Sequence, residues 1–241
     1  MTSPDMEASN FTSRSLVQWD IGGESSELIV MICMSYSLKV GEEFLLDEYY
    51  QVERILGSGA YGVVCEVLDQ RSGMRFAIKK CKNVFISRSI ALRTLREIRL
   101  LRLLHHSSII DMKGLLPPES LYDMDHIYII FEVMEADLSR IIRSNQILTD
   151  IHHQYFIAQL FSALIFLHEQ GVIHRDLKPK NLLVNSNCLL KVADFGLAKC
   201  YNGVKFKTTA PMTDYVTTRW YRAPEILGAW QHYSSAIDMV Q

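Results

Sequence analysis

Gly57, Gly59 and Gly62 stand in the spacing G-x-G-x-x-G within Leu56-Gly57-Ser58-Gly59-Ala60-Tyr61-Gly62, a pattern shared by dinucleotide-binding and other phosphate-binding loops. A backbone without side chains can fold down over phosphates. A dinucleotide loop must open into a helix whose first amides face the pyrophosphate, whereas Val63-Val64-Cys65-Glu66-Val67 is β-branched and strand-like. The glycines therefore cap a hairpin. No Gly-Lys-Ser/Thr follows them, which argues against a P-loop nucleotide hydrolase. Seventeen residues past Gly62, Lys79 lies in the apolar stretch Ala77-Ile78-Lys79, where an ammonium is costly unless paired. Glu97, between Arg96 and Ile98, is the expected partner, and a Lys79–Glu97 pair would hold the lysine toward nucleotide phosphates. On the glycines alone a plain hairpin is an equal reading, and either charge taken singly reads as an ordinary surface residue.

The elements that must position these groups are legible from periodicity. Gln51–Leu56, Val63–Leu68 and Arg75–Lys80 read as short strands separated by Gly-containing turns, so this part is an antiparallel sheet. Over Ile90–Leu104, the residues Ile90, Leu92, Leu95, Ile98, Leu101 and Leu104 mark one helical face, with Arg93, Arg96, Arg99 and Arg102 on another. Ile127–Val133 is a buried-strand type of run, and residues 150–168 form a helix with almost no polar face. Residues 1–27 carry no sustained period and read as a mobile tail; Leu28–Met34 is left open between a strand, a helix and sequence foreign to the natural product.

Composition bounds the class. The chain has 241 residues, 49% hydrophobic and 22% charged, with a formal net charge of -2, the balance of an ordinary soluble protein of one large or two small domains. That excludes collagen-like, coiled-coil and wholly disordered readings and gives no basic excess for nucleic acid. Residues 1–48 hold nine acids against Arg14 and Lys39, so an acidic leader precedes a body with 18 acids and 23 bases. The five scattered cysteines form no C-x-x-C pair, so a disulfide framework or structural zinc site is not indicated and a reducing cytoplasmic or nuclear compartment is expected. No apolar run reaches the ~20 residues of a membrane-spanning helix, so no membrane partner is expected.

The second half decides among these readings. His174-Arg175-Asp176-Leu177-Lys178-Pro179-Lys180-Asn181, then Asp194-Phe195-Gly196, then Ala223-Pro224-Glu225 follow in order after the glycine loop and the strand lysine, and this set resembles a eukaryotic protein kinase over residues 49–241. Thr213-Asp214-Tyr215, followed by Val216-Thr217-Thr218-Arg219-Trp220-Tyr221-Arg222, is similar to the dual-phosphorylation lip of a mitogen-activated protein (MAP) kinase. Arg93-Thr94-Leu95-Arg96-Glu97-Ile98 and Met134-Glu135-Ala136-Asp137-Leu138 are similar to that family's helix C and hinge. The resemblance implies an α+β, bilobal protein-kinase-like fold: residues 1–48 a largely flexible leader, 49–133 a small antiparallel-sheet lobe, and 134–241 a mostly helical but incomplete large lobe.

It also implies roles. Asp176 would accept the proton of a substrate hydroxyl, Lys178 would neutralise the transferring γ-phosphoryl, and Asn181 and Asp194 would give hard oxygens to Mg²⁺. ATP would lie under the loop Leu56–Gly62, its α/β-phosphates on Lys79 and its adenine among Val64, Ala77 and Leu183. Backbone of Glu132 and Met134 would bond the base, Asp137 would sit near the ribose, and Phe131 would close the back pocket. Each phosphate on Thr213 and Tyr215 would add about -1.5 to -2 units of charge; Arg93, Arg96 and Arg175 would gather the first, Arg219 and Arg222 the second, with Lys199 nearby. Thr218 would bond Asp176 and Lys178. The implied partners are an upstream dual-specificity MAP kinase kinase, phosphatases, and substrates carrying Ser or Thr followed by Pro.

Two readings stay open at this point. Past Ala236-Ile237-Asp238-Met239 only Val240-Gln241 follow, where the family continues with a Trp-containing helix, the partner of Glu225 and an acidic docking groove. The chain is then either a partial record of an active serine/threonine kinase or a truncated, inactive product acting as a competing interaction module. The all-apolar helix 150–168 must be covered on several sides, so the 241-residue chain alone is expected to give little folded protein and little turnover.

Overall fold

The computed structural model describes residues 11–20, 28–37, 43–59, 62–116, 125–200, 219–224 and 234–240. The chain divides into two units, residues 1–91 with 112–133 and residues 92–111 with 134–241.

In the first unit, β1 (Phe11–Asp20), β2 (Leu28–Ser37) and β3 (Glu43–Asp47) form an antiparallel meander. Residues 11–20, expected in a mobile tail, are thus a strand, and Leu28–Met34 lies in another. The acidic composition that suggested a tail is concentrated outside them: Leu16, Val17 and Trp19 stand opposite Ile32, Met31 and Ile29, a β-compatible pairing that a search for amphipathic period overlooks. β3 carries Phe44 and Leu46 into the core of the unit.

The larger sheet has the order β4-β5-β6-β8-β7, built from β4 (Tyr50–Gly59), β5 (Gly62–Asp69), β6 (Met74–Cys81), β7 (Met112–Leu115) and β8 (Ile127–Phe131). The three expected strands are present, each longer than its sequence pattern. Alternation assigns the faces. Val63, Cys65, Val67 and Ile78 join Phe44 and Leu46 in the core, and burial pushes the Cys65 thiol up to about 12. Lys80, only 5% exposed, has its ammonium 5.9 Å from the Phe44 ring and 5.7 Å from the Tyr128 ring, so aromatic faces receive the charge where water does not. On the intervening positions Val64 is opposite Lys79, Glu66 opposite Ala77, and Ala77 opposite Phe131.

A charged ladder crosses these strands. Arg54 Nε donates to Glu66 at 2.6 Å, Arg75 Nε lies 3.6 Å from the same carboxylate, and Arg75 Nε donates to Glu53 at 2.7 Å. The Arg75 hydrogen bonds hold the Glu53 carboxyl below its ordinary range. Glu66 is buried while both arginines remain about half exposed. Glu66→Ala is therefore expected to lower stability by about 1–2 kcal/mol, because the arginines regain water and no buried charge is stranded. A denaturant melt checks this; Glu66→Gln, which keeps one acceptor, should recover part of the loss.

The unit boundary falls in α1 (Arg88–Leu101). Its buried residues are Thr94, Glu97, Ile98, Leu100 and Leu101, whereas Leu95 is 43% exposed. The expected apolar stripe is therefore rotated, and Glu97 lies inside it. The cause is on the helix itself: Arg96 donates to the Gly196 carbonyl and Arg93 packs beside Gly196, which turns that edge of α1 inward.

In the second unit α2 (Leu138–Arg143) precedes α3 (Asp150–Glu169). Phe156, Ala163, Leu164 and Leu167 form the buried stripe of α3, while Ile151, Tyr155, Ile157, Phe161 and Ile165 are exposed among the described residues. Gln159 joins α3 to a hairpin, its Nε2 donating to Cys188 O at 2.9 Å and its Oε1 accepting from Leu190 N at 2.9 Å. That hairpin comprises β11 (Leu182–Val184) and β12 (Leu190–Val192), extended by β9 (Ala136–Asp137); β10 (Val172–Ile173) pairs with β13 (Lys199–Cys200).

Candidate active site

The loop leaving β10 gathers charge where little water reaches. Asp176, Lys178 and Asn181 are 3%, 9% and 6% exposed. Lys178 Nζ donates to Asp176 Oδ2 at 2.5 Å, and Asn181 Nδ2 donates to the same oxygen at 3.2 Å and to Asp176 O at 2.8 Å. A buried carboxylate is tolerable only when paired and hydrogen-bonded. The spacing from Asp176 to Asn181 supplies both conditions, because Pro179 opens a 3-10 turn over Pro179–Asn181 that brings Asn181 back onto Asp176.

The neighbouring backbone is fixed from beneath. Asp238, on α4 (Ile237–Val240), accepts from Arg175 N on Oδ1 at 2.8 Å and from His174 N on Oδ2 at 2.9 Å. Those bonds hold Arg175 at φ 67, a left-handed conformation rarely adopted by a residue with a side chain. His174 is fully buried; its Nε2 lies 3.1 Å from Ala193 O and its Nδ1 accepts from Asp176 N at 3.3 Å. The proton is therefore on Nε2. Its ring meets Phe195 edge to face at 5.0 Å, and Ala193 N donates to Asn181 O at 2.9 Å, so the loop and the Asp194 segment are joined at several points.

Asp194 follows β12 with φ 65 and leads into a 3-10 turn, Phe195–Leu197. Three arginines converge on that turn. Arg175 Nε donates to Leu197 O at 2.7 Å, Arg96 donates to Gly196 O, and a side chain at Gly196 would meet Arg93 Nε and Asp194 Oδ1, each at 3.4 Å. Lys199 begins β13 just beyond, opposite Ile173. The expected phosphate-receiving residues Arg93, Arg96 and Arg175 are thus together; Arg219 and Arg222 belong to the short stretch 219–224. Thr213, Tyr215 and Thr218, together with Ala60, Tyr61 and Glu225, lie outside the described residues.

Of the nucleotide-binding candidates, Leu56, Gly57, Ser58, Gly59, Gly62, Val64, Ala77, Lys79, Phe131 and Glu132 belong to the first unit, and Glu97, Met134, Asp137, Leu183 and Asp194 to the second. Within the second unit Leu183 and Asp137 are opposite each other across β11 and β9. Asp137 also caps α2, Oδ1 accepting from Arg140 N at 2.9 Å, a role that its position before Leu138 allows but that sequence reasoning did not assign. Asn185 Oδ1 accepts from Glu135 N at 3.0 Å and Ser186 Oγ donates to Glu135 at 2.8 Å, fixing the stretch before Asp137. Asp238 and His168 were also missed. The available signal was a lone acid inside Ala236-Ile237-Asp238-Met239-Val240, which is costly there without partners.

Comparison with known proteins identifies the family. The protein kinase domain matches residues 50–240. Mitogen-activated protein kinase 8 of Oryza sativa subsp. japonica is 50% identical over 192 residues, covering 79% of this chain and 33% of the relative. Mitogen-activated protein kinase 18 of Arabidopsis thaliana is 50% identical over 79% of this chain and 31% of its own length. Mitogen-activated protein kinase spk1 of Schizosaccharomyces pombe is 50% identical over 202 residues, 81% of this chain and 52% of the relative. The chain thus spans about a third of the plant relatives and about half of spk1. With the kinase profile matched from the first strand of the larger sheet to α4, and the buried Asp176, Lys178 and Asn181 cluster inside the match, the chain belongs to the protein kinase family.

Proposed function

We propose that this chain carries the active site of an ATP-dependent serine/threonine kinase of MAP kinase type, switched on by phosphorylation of Thr213 and Tyr215. The observation that carries the reading is the 2.5 Å contact between Lys178 Nζ and Asp176 Oδ2 in a loop nearly sealed from water. Phosphoryl transfer demands positioning and charge neutralisation more than covalent chemistry. The substrate Ser or Thr Oγ bonds to the γ-phosphorus, the bond from that phosphorus to the bridging oxygen of the departing ADP breaks, and the hydroxyl proton passes to Asp176. Lys178 offsets negative charge on the transferring group. All three catalytic residues are intact, which favours an enzyme over an inactive competitor.

The chain's donors fit a magnesium-bound nucleotide. Asn181 commits its Nδ2 to Asp176, which turns its amide oxygen away, and Asp194 adds a carboxylate: two hard oxygens, as expected for an ion held by few protein ligands plus phosphates. When bound with ATP, Mg²⁺ neutralises the β- and γ-phosphate oxygens. The resemblance assigns further ATP contacts to Lys79, Val64 and Ala77 of the first unit and to Leu183 of the second. Arg93, Arg96 and Arg175 receive the phosphate of Thr213, drawing α1 inward, while Arg219 and Arg222 receive that of Tyr215.

The test is transfer of γ-labelled phosphate to a Ser-Pro peptide and to its Ser-Ala counterpart, before and after treatment with a dual-specificity MAP kinase kinase. Phosphorylation should raise transfer to the Ser-Pro peptide by about 10–100-fold, the worth of one or two new charge-assisted contacts. Thr213→Ala with Tyr215→Phe should abolish the rise. Equal activity of wild type and double variant after treatment would remove the lip from the proposal.

A further inference from the structure

The sheets of the first unit do not end alike. β4 and β7 are the two edges of the larger sheet. Register shifts between Val52 and Arg54 and between Ile55 and Gly57 break the ladder of β4. β7 is four residues long, with a shift of its own between Met112 and Gly114. Bulges and short strands discourage a further strand from adding to an edge. β3, at one edge of the meander, has five residues with an acid at each end, Glu43 and Asp47. β1, at the opposite edge, has ten residues and a single register shift, between Phe11 and Ser13 at its start. From Ser13 to Asp20 each residue is matched in turn by one of β2, and among the described residues β1 pairs with no other strand.

That stretch contains no Pro, Gly or Lys, and its only charged residues are Arg14 and Asp20. Along the outer edge of such a strand, alternate residues turn their N–H and C=O groups away from the neighbour already paired, where another strand can take them up. The charges decide which strand fits. Two identical strands paired antiparallel are related by a two-fold axis, so residue i of one is opposite residue j of the other and j opposite i. One register alone sets Arg14 opposite Asp20, the one with Val17 on the axis. It places Ser15 opposite Trp19 and Leu16 opposite Gln18, so the whole stretch Arg14–Asp20 of each copy is paired and the shift at Phe11/Ser13 falls outside it. Symmetry makes the charge pair twice, and no like charges meet across the ladder, which is the favourable arrangement of cross-strand pairs. Within the meander Arg14 is opposite Met34 and Asp20 opposite Leu28, so β2 sets no charge directly across from either.

We propose that the outer edge of β1 is a self-association surface, on which a second copy of this chain adds its own β1 antiparallel about Val17 and joins the two meanders into one continuous sheet. The surface belongs to the first unit alone, and it does not depend on the phosphoryl-transfer reading. One pair of strand edges is a small interface, so the association is weak, reversible and driven by concentration.

Sedimentation equilibrium of the full chain over about 1–200 μM should show monomer and dimer in exchange. Arg14→Asp leaves two acids on the strand, and Asp20→Arg leaves two bases. Each variant alone should dimerise about tenfold more weakly than wild type, because both cross-strand charge pairs become repulsive. Mixed together, the two variants should associate with each other as wild type does with itself. The double variant, Arg14→Asp with Asp20→Arg, should regain self-association, since each charge again meets its opposite. Misfolding would impair the mixture as much as its components, so recovery in the mixture isolates the charge pairing. Val17→Cys supplies a second readout. On the axis its thiol faces its own counterpart across a strand pair with Cα atoms about 4.5–5.5 Å apart, a separation that a disulfide can span. Diamide should therefore link two copies of Val17→Cys faster than two copies of Gln18→Cys, whose counterpart is Leu16. A wild type that stays monomeric throughout the range would leave this edge to a different chain and overturn the proposal. Single variants that dimerise as wild type does, a mixture no stronger than its components, or Val17→Cys linked no faster than Gln18→Cys would do the same.

Discussion

Asp176→Asn is expected to lower the rate of transfer to a Ser-Pro peptide by about 10²–10⁴-fold, the contribution of a positioned general base, while ATP affinity stays at its wild-type value. The substitution changes almost nothing in size, and the surrounding donors dictate how the new amide must sit. Lys178 Nζ and Asn181 Nδ2 both point at Oδ2, so the amide oxygen takes that place and the NH2 group takes the place of Oδ1. On the proposed reading Oδ1, which neither of those two bonds uses, takes the hydroxyl proton. In the variant that position holds two N–H donors and no acceptor. Turnover should fall with no matching rise in KM for ATP, the pattern of an interaction used only in the transition state.

Lys178→Met is the informative companion. It removes the charge proposed to offset the γ-phosphoryl and also strips a partner from a carboxylate that is 3% exposed. Its effect on stability should therefore exceed that of Asp176→Asn, since a buried charge left short of donors is more costly than a neutral amide in a complete set. If Asp176→Asn retained more than about a tenth of wild-type turnover, proton acceptance by this residue would be the wrong assignment.

The contrast between Asp176 and Asp238 shows where the sequence is readable. Asp176, Lys178 and Asn181 interact within one short loop, so their spacing already contains their geometry. Asp238 bonds to His174 and Arg175 across more than 60 residues, and no local pattern encodes that closure. Strands β4, β5, β6 and β8 of the larger sheet and the extent of α3 were legible because burial on one or both faces imposes a period on them; the four-residue edge strand β7, whose positions alternate only between half-buried and exposed, was not read. The face of α1 was not: its apolar residues nominated Leu95, and the rotation that exposes Leu95 and buries Glu97 is imposed by Arg93 and Arg96 meeting the Phe195–Leu197 turn, about 100 residues away. The strand Phe11–Asp20 was hidden for a related reason. Its partner is β2, and the pairing, not its own alternation, defines it.

The three glycines of the loop differ in how closely the chain packs around them. A Cβ added at Gly57 or Gly59 meets nothing within 4 Å, whereas at Gly62 it would lie 2.0 Å from the Lys80 carbonyl oxygen and 3.0 Å from its carbon. Gly62 also has φ +154, a conformation that side chains rarely adopt. Gly62→Ala should thus destabilise the protein by about 3 kcal/mol, combining backbone strain of about 1–3 kcal/mol with the displacement of a paired strand. The neighbour cannot yield cheaply, because the clash is with backbone in β6 and Gly62 is itself paired to Cys81. Relieving it means parting β5 from β6 at the end that carries Lys79 and Lys80. The melting midpoint should fall by about 6–12 °C for a chain of this size, and KM for ATP should rise because Lys79 moves with its strand. Gly57→Ala and Gly59→Ala should melt within about 1 kcal/mol of wild type and alter nucleotide binding alone. A Gly62→Ala protein that melted with wild type would mean that β5 and β6 are not this close at Lys80, and the three glycines would then share one role, clearance for phosphate.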